Sequence, residues 1–300
     1  MKKILCIVLL VLLLPALALA DLEAFFLDVG QGDCTVILCD GEAMIIDGGP
    51  ASASDLVYAF LRDTLEVKEL KYVVSTHPHE DHLAGLNAVL NAVPADLVLS
   101  PVTEWNTRRF ERLMKYARKQ GAPVVVPEAG DQYSLGGAVV TVLQCWPEAV
   151  AWRENDVNDM SIMVRVDYGE TSLIVTGDAE EAAEYMVLDS GLPLKADVLR
   201  VGHHGSTYST SAPFLKAVSP EYAVISCGEG NSYFHPHRRV LNALKKAGVT
   251  LFRTDLQGTV RMASDGEKIV FSPEKAAAAE ALFAAPGAMA IHNSEFIIQN

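Results

Sequence analysis

From Leu22 onward, short apolar runs recur along the chain, each closed by glycine or aspartate, and their spacing predicts alternating strands and helices. LEAFFLDVGQGD and CTVILCDGEAMIIDGGP read as strands joined by turns at Gly30, Gly32, Gly41, Gly48 and Gly49, with a helix over residues 54–64. The strand that opens KYVVSTHPHEDH follows, then a helix over 83–93. A second, similar half contains AVVTVLQCW, SIMVRVDYG and TSLIVTGDAE, a helix over 180–190, ADVLRVGHHGS, a helix over 212–218 and YAVISCG. HPHRRVLNALKKAG reads as a helix with its first turn beside the polar motifs, and TLFRTD and GTVRMAS close the pattern. Two sheet-rich halves with intervening helices predict a layered α/β sandwich whose polar residues gather at strand ends. Neither a linker nor a fixed-period repeat divides it, so one domain over 21–271 is expected. Residues 272–300 form an alanine-rich tail, read as a short helix or a disordered linker.

Half of the 300 residues are apolar, enough for the core of one large domain. Residues 1–20, MKKILCIVLLVLLLPALALA, pair two lysines with an apolar run and end in Ala18-Leu19-Ala20, the small-x-small form of a cleavable signal peptide. The expected mature chain therefore begins at Asp21, is secreted to the extracellular or periplasmic side, and keeps no stable membrane span. A retained anchor is the alternative, although a helix over 4–20 would barely cross a bilayer. Removing the leader's two lysines leaves 22 basic side chains against 38 acidic, a net charge of −16, which argues against broad electrostatic capture of nucleic acid. Metal ions in a site would supply local positive charge that this total omits. Cys34 and Cys39 stand an odd number of positions apart in one strand, hence on opposite faces, and cannot pair. Export permits a Cys145–Cys227 bridge, but buried free thiols are the expectation. No feature of the chain assigns an oligomeric state.

The densest chemistry is THPHEDHLAGL, which places His77, His79, Asp81 and His82 at the end of an apolar strand. Neutral imidazoles and a carboxylate suit borderline divalent metals, zinc first and manganese second, and on a turning loop they can feed one or two adjacent ions. Asp178 in LIVTGDAE follows another apolar strand and, taken alone, reads as a helix N-cap. His203 and His204 end a third; adjacent residues project differently, so one should bind metal and the other face the substrate or a hydrogen-bond acceptor behind the ligands. Asp47 in MIIDGGP is read as orienting a ligand histidine, or as a turn aspartate. Asp28, Gln31 and Asp33 lie on a glycine turn along the same edge without ligand roles. Asn231, His235 and His237 either hold a phosphate or leaving group, or serve as a helix cap and exposed imidazoles. Ser206 and Ser209 need not be nucleophiles where metal can activate water.

FLDVGQGDCTVI, MIIDGGP, THPHEDHLAGL, LIVTGDAE, VLRVGHHGSTYST, YAVISCG and NSYFHPHRRVL occur in the same order as in the extracellular metallo-β-lactamase-like domain of the ComEC-type DNA-uptake family, which the chain resembles over residues 23–266. That family's channel-forming segments are missing, as in stand-alone secreted relatives. The resemblance implies a four-layer αββα sandwich with a metal site on its edge. It further implies that His77 and His79 bind one metal, that Asp81 and His82 bind the other, that Asp178 bridges them, and that His204 is the ligand of its pair. Glu80 occupies the motif's variable position. Where many superfamily members carry a third histidine for the first metal, this chain has Asn158, Asp159 and Ser161, which weakens that site or gives it oxygen ligands.

Metal-assisted hydrolysis of a phosphoester follows, with Asp81 and Asp178 at the centre and His203 or His237 steadying charge or protonating the leaving group. DNA outside the cell is the first substrate reading. A smaller phosphoester such as cell-wall phosphocholine, or a non-catalytic binding module with a vestigial metal site, are the alternatives. β-Lactam hydrolysis is disfavoured by the missing histidine.

Overall fold

The computed structural model describes residues 21–149 and 157–286. Its strands form two sheets. In spatial order the first holds Ile269–Pro273, Val260–Ser264, Leu22–Phe26, Thr35–Cys39, Glu42–Ile46, Leu70–Val74, Ala95–Leu99 and Val124–Val125. The second holds Thr250–Arg253, Tyr222–Ile225, Val198–Arg200, Thr171–Val175, Met163–Tyr168, Ala138–Gln144 and Gln132–Leu135. Each sheet joins an antiparallel part to a parallel one.

Strand periodicity explains the layers. In Glu42–Ile46, Met44 and Ile46 face a core shared with Val164, Val175 and Val224 of the other sheet. Ala43 and Ile45 turn outward to Leu86, Val89, Phe110 and Leu113 of the flanking helices. Ile174, Leu199 and Ala223 of the second sheet likewise cover Val187, Phe214 and Leu241 on its outer helices. Helix, sheet, sheet, helix is the four-layer αββα order of the sequence reading.

Several boundaries differ from the sequence reading. The helix expected over 54–64 is α-helical over Ser54–Ala59 and widens to a π turn over Phe60–Thr64. The strand before the histidine motif stops at Val74. The helix expected over 83–93 is two pieces, Glu80–Leu83 and Leu86–Ala92, so Asp81 and His82 ride on a helical first turn rather than on the loop. Residues 94–137, unassigned from the pattern, carry three strands and the helix Arg108–Gln120, capped by Thr107 and ended by left-handed Gly121. The last strand runs to Pro273, past the boundary drawn at 271; beyond it Ala279–Leu282 forms one helical turn, with Leu282 buried and its carbonyl accepting from Arg253 Nη1 (3.1 Å). Cys34 and Cys39 do face opposite cores, and the four described cysteines are free thiols. The leader over 1–20 and residues 287–300 lie outside the described residues. Among the described residues, no helix is long and apolar enough to cross a membrane.

Candidate metal centre

The loops after the parallel strands of both sheets meet at one edge, and there the polar motifs converge. Their register depends on a backbone contact between Gly48 and Gly85: a Cβ on Gly85 would stand 1.8 Å from the Gly48 carbonyl oxygen. That closeness lets Gly48 N donate to His82 O (2.6 Å) and Gly85 N to Gly49 O (3.0 Å), locking the Asp47 turn against the ligand helix. Asp47 sits at φ 57°, a left-handed conformation that aspartate tolerates better than most residues. Its carboxylate accepts Thr76 N (2.9 Å) and Thr76 Oγ1 (2.6 Å) and faces His82 Nδ1 at 2.7 Å. Nδ1 is thereby held as the donor, and Nε2 turns to the cleft.

Four donor atoms then come together. His82 Nε2 lies 3.2 Å from Asp178 Oδ2 and 3.3 Å from His204 Nε2. His204 Nε2 lies 3.3 Å from Asp178 Oδ2 and 3.4 Å from Asp81 Oδ2. The Ser226 carbonyl, 2.9 Å from His204 Nδ1, does for His204 what Asp47 does for His82. Beside this set, His77 Nε2 meets His79 Nδ1 at 3.0 Å. His77 Nδ1 has only hydroxyls as neighbours, Thr76 Oγ1 at 3.1 Å and Ser161 Oγ at 3.3 Å. Asn158 lines the cleft with Nδ2 on Glu180 Oε1 (2.9 Å).

This donor set fits a divalent cation. Asp178 Oδ1 is buried with no hydrogen-bond donor, and ligand-type atoms of His77, His82 and Asp178, and of Asp81, His82 and His204, lie within 4.8 Å of one another in each set. Burial opposes charge on Asp178, but His204, His82 and His203 outweigh it and hold the carboxyl well below its usual range. Burial likewise pushes His204 down, yet Asp178 and Asp81 draw it up to about 9. His77, buried beside His82, is pushed well below the ordinary imidazole value and stays neutral. A cation competes with protons for the lone pairs of His82 and His204, so metal affinity falls as pH is lowered.

The two neighbouring histidines point in different directions. His203 and His204 have left-handed φ of 49° and 54°, which splays their rings. His204 is buried at 2% exposure. His203 reaches the cleft, with Nε2 3.8 Å from Asp178 Oδ2 and Nδ1 3.2 Å from Glu180 Oε1. His235 lines the same cleft; its imidazole is pushed down to about 3 by burial and by His204 and His203.

Other residues stand apart from their sequence readings. His237 stands beside the cleft residue His235, ring centroids 4.7 Å apart, and its Nδ1 accepts Thr207 N–H (2.9 Å) at the start of the helix Arg238–Lys246. Asn231 braces its own loop, with Nδ2 donating to the carbonyls of Gly228 (2.9 Å) and His235 (2.7 Å) and Oδ1 accepting His235 N–H (3.0 Å). Asp178 is not a cap; Asp159 Oδ1 accepts Glu180 N–H (2.8 Å) and Ala183 N–H (3.4 Å) at that helix start. Two residues were missed. Arg200 is fully buried behind the cluster, with Nη1 donating to Gly177 O (2.8 Å) and Nη2 2.7 Å from Asp33 Oδ2 and 3.4 Å from His204 Nδ1. Glu180 orients His203. The signal for Arg200 was an arginine inside the apolar run ADVLRV, four residues before His204.

A sequence profile of the metallo-beta-lactamase superfamily matches residues 27–229. ComE operon protein 3 of Bacillus subtilis (strain 168) is 29% identical over 273 residues, covering 85% of this chain and 35% of that protein. Competence protein ComA of Neisseria gonorrhoeae is 31% identical over 236 residues, covering 78% and 31%. The chain thus spans about a third of the length of these curated relatives. Among solved structures, the metallo-beta-lactamase fold protein YhfI from Bacillus subtilis aligns at a TM-score of 0.52 and 12% identity, covering 84% of this chain and 100% of that one, a likeness of fold alone.

Proposed function

The chain belongs to the metallo-beta-lactamase superfamily, and on that premise we propose that this metal-dependent hydrolase cleaves phosphodiesters outside the cytoplasm. The observation that carries the reading is the convergence of His82, His204, Asp81 and Asp178 on one point, with His203 beside it in an open cleft of about 260 Å³. When bound there, a divalent metal, zinc or manganese, lowers the pKa of water from about 15.7 towards 7 and polarises the phosphoryl oxygen. The protein's own residues do the rest. Asp178 would neutralise a bound cation, Asp47 and the Ser226 carbonyl fix the tautomers of His82 and His204, and Glu180 Oε1 stands 3.2 Å from His203 Nδ1 while His203 Nε2 lies 3.8 Å from Asp178 Oδ2. In its imidazolium form His203 would give the Nε2 proton to a leaving alkoxide and end as the neutral Nδ1–H tautomer, regaining a proton from solvent.

The resemblance to the ComEC-type DNA-uptake family, with a relative named as a competence protein, favours DNA as a substrate. A smaller phosphoester is favoured by the cleft's size and by the acidic balance of the chain, which penalises a long polyanion. The protein is to be incubated with duplex and single-stranded DNA and with bis(p-nitrophenyl) phosphate, in zinc, manganese or chelator. Chelator-sensitive turnover of the diester is expected; metal-loaded protein that turns over none of the three would leave a binding module.

The paired histidines give a sharper expectation. His204→Ala should lower metal affinity, whereas His203→Ala should keep its metal content and lose about 10²-fold or more in kcat. Elemental analysis beside steady-state kinetics separates them, and equal metal loss in both variants would reverse the assignment.

A further inference from the structure

Every described residue that lines the metal cleft is a histidine, an acid or an amide, except Tyr233. It stands in NSYFHPHRRVL between Asn231, which holds the loop by hydrogen bonds, and His235, which lines the same cleft. Its ring is the one large apolar face offered to whatever the cleft admits.

The loop is held too firmly for that presentation to be slack. Gly228 N–H donates to Gln31 Oε1 (3.2 Å), and a Cβ on Gly228 would stand 2.6 Å from Gln31 N. At the other end His237 N–H donates to Gly205 O (2.9 Å), and a Cβ on Gly205 would stand 2.5 Å from Pro236 Cβ. The loop is thus pinned to Gln31, which lines the cleft, and to the turn that carries His203 and His204. Yet it holds Tyr233 62% exposed and Phe234 67% exposed. Phe234 also sits at φ 57°, a left-handed conformation that bulky residues rarely adopt. Strained backbone of this kind persists where its surroundings fix it, and it gathers at sites that bind.

The Tyr233 ring lies nearly parallel to that of His235, with centroids 5.7 Å apart and planes at 24°. His235 therefore covers one face and leaves the other open, an arrangement to which a further flat ring adds readily. The His235 ring is in turn 6.1 Å from that of His204, among the candidate metal ligands. A ring joined directly to a phosphoryl group at His204 would stop short of Tyr233, because His235 stands between; a base joined through a sugar reaches past it. We propose that Tyr233 is a specificity-determining residue, the platform on which a nucleobase stacks while the phosphate it carries through its sugar lies at the metal ligands. The inference rests on the phosphodiester reading of the cleft and adds how a nucleotide arm is told from any other. Stacking on a side chain needs an unpaired base, so a single strand fits this platform and a duplex does not. A polyol or lipid phosphate offers the ring no π face.

The test titrates the zinc-loaded protein by calorimetry with thymidine 5′-monophosphate and, separately, with 2-deoxyribose 5-phosphate, which keeps the sugar and phosphate without the base. The nucleotide is expected to bind about tenfold more tightly, the usual effect of one base stacked on an aromatic side chain. Tyr233→Ala should erase that difference and Tyr233→Phe should keep it; the position is exposed, so neither substitution opens the core. Phenyl phosphate, with its ring directly on the phosphoryl oxygen, should bind no better than the sugar phosphate. Equal affinities for nucleotide and sugar phosphate, a difference that survives Tyr233→Ala, or a gain for phenyl phosphate that Tyr233→Ala removes, overturns the nucleobase platform. Base discrimination that depends on Tyr233, in protein that turns over no diester, supports the platform and overturns the hydrolytic reading. Turnover of bis(p-nitrophenyl) phosphate without base discrimination does the reverse.

Discussion

Asp178→Asn is expected to lose tightly bound metal and more than about 100-fold in phosphodiester turnover while the protein stays folded in chelator. The size follows from position: displacing the outer partners of a ligand already costs 10- to 100-fold, and this carboxylate stands inside the donor set. Asparagine is nearly isosteric, but its amide donates more weakly and cannot neutralise a dication. A capping role would predict the opposite, because asparagine caps about as well as aspartate. The structure gives that task to Asp159, and Asp178's own N–H is held by Ser161 Oγ (3.1 Å), a bond the substitution leaves alone. Burial also makes the neutral amide no harder to accommodate than the charge it replaces. Far-ultraviolet circular dichroism, metal analysis and kinetics on one preparation decide the matter. Near-parental turnover with full metal content would end the assignment.

Much of this candidate site was legible because several of its candidate ligands are local. His77, His79, Asp81 and His82 lie within six residues, so composition alone marks them, and the layered fold follows from apolar runs that alternate along each strand. What was not legible depends on backbone conformation or on distant contacts. The division of labour between His203 and His204 is set by two left-handed residues in succession, a geometry that carries no compositional mark in histidine. The tie between His237 and a loop 30 positions earlier, where its Nδ1 accepts Thr207 N–H, is likewise a distant contact. Residues 94–137 held readable signals, Thr107 before a helix and Gly121 after it, without a dense motif to draw attention to them. Asp33 looked like a turn residue because its partner lies 167 positions on in the sequence, at Arg200.

That ion pair supports the second large expectation. Arg200→Met should destabilise the protein by about 3–5 kcal/mol, the usual cost of stranding one member of a buried pair. Asp33 is wholly buried, burial pushes its carboxyl upward, and Arg200 is the largest charge opposing that shift. Denaturant titration in chelator, with metal removed from the balance, measures this loss. The double variant Asp33→Leu, Arg200→Met removes both charges and should recover most of the stability, since well-packed apolar replacements of buried pairs are often neutral. Turnover should not recover with it. The guanidinium also bonds the Gly177 carbonyl one residue before Asp178 and stands 3.4 Å from His204 Nδ1 and 3.9 Å from Asp178 Oδ1, so it sets the angle of two donors at once. A positioning residue of this kind is worth about 10- to 100-fold in metal affinity. The double variant is therefore expected to be stable and poorly active, with weakened metal binding as the cause. If stability and metal affinity return together, Arg200 serves only to neutralise Asp33, and the support it lends to the metal centre is incidental.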